Sequence, residues 1–298
     1  MSFKSGFIAI IGRPNSGKST LLNTLMQTKL AITSDKPQTT RNNILGILNN
    51  EAYQLVFVDT PGVHKPRTAL GKNMNKGVYT SMQDADIIYL VVDGTKAFGS
   101  GDDFLLNRIQ NTQTNVFLVL NKVDSLTKEE LIMNLELWQS KFDFKEIIPI
   151  SALKNDNVDE LLETTLQYLE DGAQFYPVDM ISDRKDDFRV KEIIREKVLF
   201  NTREEIPHGV AVIIEQYEEM DNRFDIQALI IVERKSQKGI LIGKQGAMIK
   251  KIRLSAQREL KSLLHKKVNL ELYVRIEEDW RNKENKLNEL GYKEYDNE

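Results

Sequence analysis

At 298 residues the chain has the length for about two domains of roughly 100–200 residues each, and 41% hydrophobic with 29% charged residues excludes disordered, collagen-like and membrane-spanning classes. It has no cysteine, which excludes disulfides, thiolate metal sites and cysteine catalysis and agrees with a reducing cytosol, and its His64, His208 and His265 lie too far apart for a helix-borne zinc motif. The net charge of -3 says little until its distribution is read, and no apolar run approaches the ~18 residues that cross a bilayer.

Short Val/Ile/Leu-rich runs at 7–11, 44–48, 53–58, 87–92, 116–120 and 147–150 alternate with helix-sized segments. Continuous apolar runs of this kind belong to strands buried on both faces, so residues 1–172 are expected to form an α/β domain around a mainly parallel, doubly wound sheet. Residues 173–187, rich in Gly, Pro and charge without a period, read as a linker. Residues 188–298 read as helix 188–201, strands 210–216 and 224–233, a glycine-bearing loop, helix 247–264, strand 268–276 and a polar C-terminal helix. The acidic tail 294–298 is expected to be disordered.

The first strand runs into Gly12-Arg13-Pro14-Asn15-Ser16-Gly17-Lys18-Ser19, which fits GxxxxGK[ST] and opens a helix at Thr20. In such a loop the backbone N–H groups and the helix N-terminus cradle phosphates, Lys18 reaches the β and γ oxygens, and the Ser19 hydroxyl binds Mg²⁺. Gln38-Thr39-Thr40-Arg41 offers a second hydroxyl for the metal, with Thr40 favoured over Thr39. Asp59-Thr60-Pro61-Gly62 ends the strand 53–58. Asp59 there would hold Mg²⁺ through water, and the Gly62 N–H would meet a γ-phosphate. The next position is Val63, where Ras-like enzymes carry a water-orienting Gln, so intrinsic hydrolysis should be slow or use another device. His64 beside it has the ordinary reading of a surface-loop histidine. Asn15 could instead place its side-chain oxygen on a K⁺ between the α and γ phosphates.

A phosphate loop alone admits ATPases, kinases and GTPases. Asn121-Lys122-Val123-Asp124, at the C-terminal end of run 116–120, decides for guanine. The Asp124 carboxylate can accept from both N1–H and the exocyclic amine, whereas adenine would leave it unpaired. Asn121 would bridge the base N7 and the phosphate loop, and the Lys122 stem would lie along the ring. Ser151-Ala152-Leu153 follows the last strand, with the Ala152 N–H aimed at guanine O6.

Residues 234–267 hold eleven Lys or Arg against one acid, Glu259, a local charge of +10 that leaves -13 for the rest of the chain. Within this stretch Gly243-Lys244-Gln245-Gly246 precedes a helix with Ile249, Ile252, Ala256, Leu260 and Leu263 on one face and Lys250, Arg253 and Lys261 on the others. A GxxG loop flanked by a basic helix is how KH modules clamp single-stranded nucleotides. A solvated basic face or a patch for anionic lipid are the competing readings, although the helix lacks the bulky aromatics of membrane-inserting helices.

Taken together, GRPNSGKST, QTTRN, VDTPGVHKP, NKVD, PISAL, EIIREK, EEIPH, VERKSQKGILIGKQG and DWRNK resemble the Era family of bacterial GTPases over residues 6–290. That resemblance implies a P-loop GTPase domain followed by a type II KH domain, with GTP and GDP, Mg²⁺, the 3′ end of 16S ribosomal RNA and the 30S subunit as partners. It also implies a cytoplasmic protein with some peripheral association with the inner face of the cell membrane; the chain is expected to be a monomer. Two positions depart from the family pattern: Ser16, where Val is commoner, and Gln245, where Gly is commoner. The second bears on the backbone path of the GxxG loop.

Overall fold

The structure, a computed structural model, describes residues 3–202 and 206–292. The tail 294–298 and Glu204 and Glu205 of the EEIPH motif lie outside the described residues. Two compact units are present. The first comprises the chain up to Ala31, Thr40–Pro66 and Met74–Asp183; the second comprises Ile32–Thr39, Arg67–Asn73 and the chain from Arg184 on.

Along the chain, β1 (Lys4–Ile11) leads through the phosphate-loop motif into α1 (Lys18–Leu25), followed by β2 (Ile44–Asn49), β3 (Tyr53–Asp59), α2 (Ala69–Gln83), which belongs to the first unit from Met74 on, and β4 (Ile87–Asp93). Then come α3 (Ser100–Ile109), β5 (Asn115–Asn121), α4 (Lys128–Gln139), β6 (Glu146–Ile150) and α5 (Val158–Tyr168). The sheet order is β2-β3-β1-β4-β5-β6, parallel throughout except for the antiparallel edge pair β2 and β3. Its strands are buried on both faces, which is why they read as unbroken Val/Ile/Leu runs rather than alternating ones. On one face Ala9, Ile11, Leu90 and Leu118 pack with Val78 and Met82 of α2, Leu105 of α3 and Trp138 of α4. The parallel strands all end at the same edge, so residues 12–19, Asp59, Asn121 and Ser151 converge there, where open α/β sheets bind ligands.

The stretch read as a linker is tied to the first unit as far as Asp183. The Gln54 Oε1 accepts from the Phe175 and Tyr176 N–H groups (2.7 and 3.0 Å), and the Ile47 N–H of edge strand β2 donates to the Ile181 carbonyl at 3.0 Å. The segment thus satisfies polar groups that an open edge would leave bare.

In the second unit α6 (Asp186–Asn201) is followed by β7 (Ala211–Glu219), β8 (Arg223–Val232), α7 (Lys235–Ile242), α8 (Ala247–Leu264), β9 (Lys267–Ile276) and the short α9 (Glu284–Glu289). Helix α6 starts two residues before the expected 188, with Asp186 and Asp187 in its first turn, where the helix dipole favours acids. The three-stranded sheet runs β7-β8-β9, with β7 antiparallel and β9 parallel to β8. One core joins Val190, Ile194 and Val198 of α6, Ile226, Ala228 and Ile230 of β8, and Ile252, Ala256 and Leu260 of α8. Helix α7 is a correction to the sequence reading, which placed only a glycine-bearing loop between strand 224–233 and helix 247–264.

Candidate functional site

The phosphate loop turns on glycine. Gly17 has φ +100, and a Cβ there would lie 2.1 Å from the Asn121 Nδ2, so this position lets the loop pack directly against the base-reading motif. Asn121 uses that proximity: its Nδ2 donates to the Ser16 carbonyl (2.9 Å), while its Oδ1 accepts from the Lys122 and Ala152 N–H groups (2.8 and 3.0 Å). The Ala152 N–H expected for a base oxygen therefore already has an acceptor in Asn121. Lys122, in the left-handed region at φ 67, sends its Nζ to the Asn15 carbonyl (2.9 Å) and to Asp93 Oδ2 (2.7 Å). Asp124 accepts from the Ser151 hydroxyl at 2.7 Å, which holds its carboxyl below the usual range and so ionised. Leu153 is 78% exposed and offers the site only its backbone.

Lys18 is buried and donates to the Gly12 and Arg13 carbonyls (3.2 and 2.9 Å). Desolvation brings its pKa down to about 8 against the pull of Asp59. Arg13 turns its guanidinium to Asp102 on α3 (2.8 Å), leaving its backbone to the loop. Thr20 and Pro14 are half-buried in the same turn and Asn15 is exposed with a left-handed backbone (φ 65).

Three oxygens meet beside Lys18. The Ser19 hydroxyl is 2.7 Å from the Thr40 hydroxyl and donates to Asp59 Oδ2 at 2.7 Å. Asp59 is fully buried and its Oδ1 has no partner; desolvation pushes its pKa up to about 6. A buried carboxylate with an orphaned oxygen, ringed by two hydroxyls, has the hard-oxygen donor set that suits a divalent cation. Thr39 is turned away, its hydroxyl donating to the Lys36 carbonyl at 2.6 Å.

The Thr60 hydroxyl donates to the Ile10 carbonyl (2.8 Å), and the Val63 N–H donates to the Gly12 carbonyl (3.1 Å). Pro61 is buried and Gly62 packs against Pro14. Val63 is itself a core residue, 3% exposed, so it has no means of orienting water. The His64 Nδ1 lies 3.0 Å from the Gly62 carbonyl, within its own loop.

In the second unit the GxxG loop forms a tight turn between α7 and α8. Gly243, Gln245 and Gly246 all have positive φ (71, 52 and 78). A Cβ on Gly243 would come within 2.8 Å of Met248, whereas one on Gly246 meets nothing within 4 Å. Lys244, Gln245, Lys250 and Lys251 are exposed, and Arg253 is half-buried beside Gln257.

Residues 7–122 match the family model described as 50S ribosome-binding GTPase, and residues 205–281 match the model of the KH domain. The chain is 38% identical, with a TM-score of 0.94, to a crystal structure of Era in complex with MgGDPNP and nucleotides 1506–1542 of 16S ribosomal RNA. That match covers 97% of this chain and 99% of the other. The chain belongs to the Era family of GTPases. A second Era structure, an Aquifex aeolicus variant bound to GDP.AlF4-, matches with the same identity, coverage and TM-score.

As a member of the Era family the chain is a GTP-hydrolysing enzyme with a KH domain behind its P-loop domain. Its two departures from the family pattern have distinct physical outcomes. Gln245 takes the left-handed backbone that a glycine would occupy, so the loop's path survives at a cost of about 1–2 kcal/mol. Ser16 buries its hydroxyl with no partner.

Sequence reasoning missed Asp93, Asp102 and Gln237. Asp93 pairs with Lys122, Asp102 with Arg13, and the buried Gln237 Oε1 accepts from the Glu233 and Arg234 N–H groups at the start of α7 (2.9 and 3.0 Å). Asp93 had a signal: it ends β4 in register with Asn121, which ends β5.

Proposed function

We propose that this chain is a guanine-specific switch whose KH domain binds the 3′ region of 16S ribosomal RNA and which assists maturation of the 30S subunit. The observation that carries the nucleotide half is the Ser19, Thr40 and Asp59 oxygen cradle next to Lys18, with the orphaned Asp59 oxygen as the place where Mg²⁺ would be held directly or through water. Lys18 would exchange its two carbonyl acceptors for β and γ phosphate oxygens, the backbone N–H groups of Arg13 and of residues 15–20 would line the phosphates with Pro14 shaping the turn between them, and the Gly62 N–H would meet the γ-phosphate. Asn121, Lys122, Asp124, Ser151, Ala152 and Leu153 would frame guanine. Bound Mg²⁺ supplies charge neutralisation at the transferring phosphoryl group. Asn15 remains the candidate for a K⁺ site because Val63 provides no water-orienting group. Equal turnover in KCl and NaCl, for the native chain and Asn15→Ala alike, would remove that role.

The RNA half is supported by the exposed Lys244, Lys250 and Lys251 around a loop whose backbone is open at Gly246 and by the RNA in the 38% identical Era complex. Fluorescence anisotropy with an oligonucleotide of the 3′ end of 16S RNA tests it. Micromolar or tighter binding in the presence of Mg²⁺ and a GTP analogue is expected; binding no tighter than to a scrambled strand rejects it. The same exposed cations would serve peripheral membrane association, and among the described residues no helix is long and apolar enough to cross a membrane. Flotation with anionic vesicles, with and without competing RNA, separates that use from RNA binding.

A further inference from the structure

Residues 32–39 stand directly before the cradle residue Thr40 in the chain, yet they group with the second unit. Helix α6 grips two backbone groups of this segment. The Thr33 N–H donates to Glu196 Oε1 at 3.1 Å, and the Thr39 carbonyl accepts from Arg195 Nη2. Arg195 is fully buried; its Nε donates to Glu192 Oε1 at 2.9 Å and its Nη2 to Glu192 Oε2 at 2.5 Å, while its Nη1 has no partner. Packing alone gives no reason for a buried guanidinium with an unused donor, since an apolar side chain of similar volume would serve the core as well or better.

The charges continue along the helix. The Lys197 Nζ sits between Glu196 Oε2 (2.8 Å) and Glu259 on α8. Glu259 is the single acid in the basic stretch 234–267, and it is spent on this contact.

We propose that Arg195 is a positioning residue for the nucleotide switch: by holding the Thr39 carbonyl it sets where Thr40 carries its hydroxyl, and through Glu196, Lys197 and Glu259 that placement is tied to the helix bearing the RNA-facing lysines. The inference rests on the chain being an RNA-binding GTPase. A guanidinium suits the task because its rigid fork bonds the carbonyl and the Glu192 carboxylate at once, which a lysine ammonium on a flexible stem does not reproduce.

The test uses the full-length protein. Arg195→Lys keeps the buried charge and loses the fork. Its GDP affinity and melting temperature should stay close to wild type, while kcat falls by about tenfold. The Mg²⁺ concentration needed for half-maximal binding of a GTP analogue should rise several-fold, because Thr40 is needed only when a γ-phosphate and metal are present together. Unchanged kcat and Mg²⁺ requirement would overturn the proposal. So would equal loss of GDP and GTP-analogue affinity with a falling melting temperature, the pattern of a residue that only holds the fold. If Arg195→Lys does not fold, Glu192→Gln, which loosens the guanidinium without removing it, is read by the same split. Glu259→Gln tests the tie to α8. It should leave kcat without RNA at the wild-type value and at least halve the ratio of RNA affinities measured with GTP analogue and with GDP. A wild-type ratio of one, or a ratio unmoved by Glu259→Gln, overturns the tie. Wild-type RNA binding and GTP turnover are measured first, and failure of either rejects the underlying function rather than the role of Arg195.

Discussion

The Asp124 carboxylate is held by the Ser151 hydroxyl at 2.7 Å, an arrangement that keeps it ionised and fixes its direction. An ionised carboxylate fixed in this way accepts two donors side by side, which guanine has and adenine lacks. Asp124→Asn should therefore lose GTP and gain xanthosine triphosphate, whose C2 oxygen suits an amide donor; titrating the variant with both nucleotides checks this, and an unchanged preference for GTP removes Asp124 from base recognition. Ser16 makes the opposite case, a polar group that contributes nothing through its side chain. Its hydroxyl is buried without a partner while its carbonyl serves Asn121. Ser16→Ala should raise stability by about 1 kcal/mol, seen as a higher urea midpoint, with GTP affinity unchanged. Residues such as Lys18, Ser19 and Asp124 were legible because phosphate and guanine chemistry demands those groups at fixed offsets from strand ends. Asp93 and Asp102 were not, because each partners a residue about 30 or 90 positions away in sequence and only strand register or helix packing reveals the pair.

Among elements, the turn between α7 and α8 bears the most on function. Gly246 sits at φ 78 with open space where a Cβ would be, so Gly246→Asp adds a carboxylate on the exposed side of the loop without a clash. Asp tolerates the left-handed region better than most residues. The variant should fold, keep wild-type GTP affinity and lose binding to the 3′-end RNA, since the new charge repels phosphate where the backbone must approach it. Wild-type RNA affinity in Gly246→Asp, measured by anisotropy, would reduce the basic stretch to a solvated face or a lipid patch. The order of strands and helices on either side of this turn was readable from periodicity. Helix α7 was not: its last four residues, Gly-Ile-Leu-Ile, are as apolar as a strand, and the helix is settled by buried Leu241 and by Gln237 reaching back to the backbone N–H groups three and four residues before it, a capping contact that apolar periodicity does not register. The contacts of the stretch 173–187, read as a linker, were hidden for a similar reason. Its Gly, Pro and charges lack a period, but its backbone groups find partners on Gln54 and strand β2.

For the molecule as a whole, a net charge of -3 says little about affinity for nucleic acid, and it is the segregation into +10 over residues 234–267 and -13 elsewhere that points to a polyanionic partner. Such a distribution has a measurable consequence. RNA held by Lys244, Lys250 and Arg253 would release counterions at each neutralised phosphate, giving a log-log slope of affinity against salt of roughly -0.7 per contact, or about -2 for the three. Lys250→Ala should weaken binding and flatten that slope by roughly 0.7. The nucleotide site lies in the first unit, so GTP affinity should not change in this variant. Anisotropy at several KCl concentrations, run beside nucleotide titrations, reads both quantities on the same protein. A steep slope that Lys250→Ala leaves intact would mean the RNA is held elsewhere on the surface. A slope near zero would mean the +10 segment does not meet phosphate at all, and the functional reading of the second unit would then fail even with its KH fold intact.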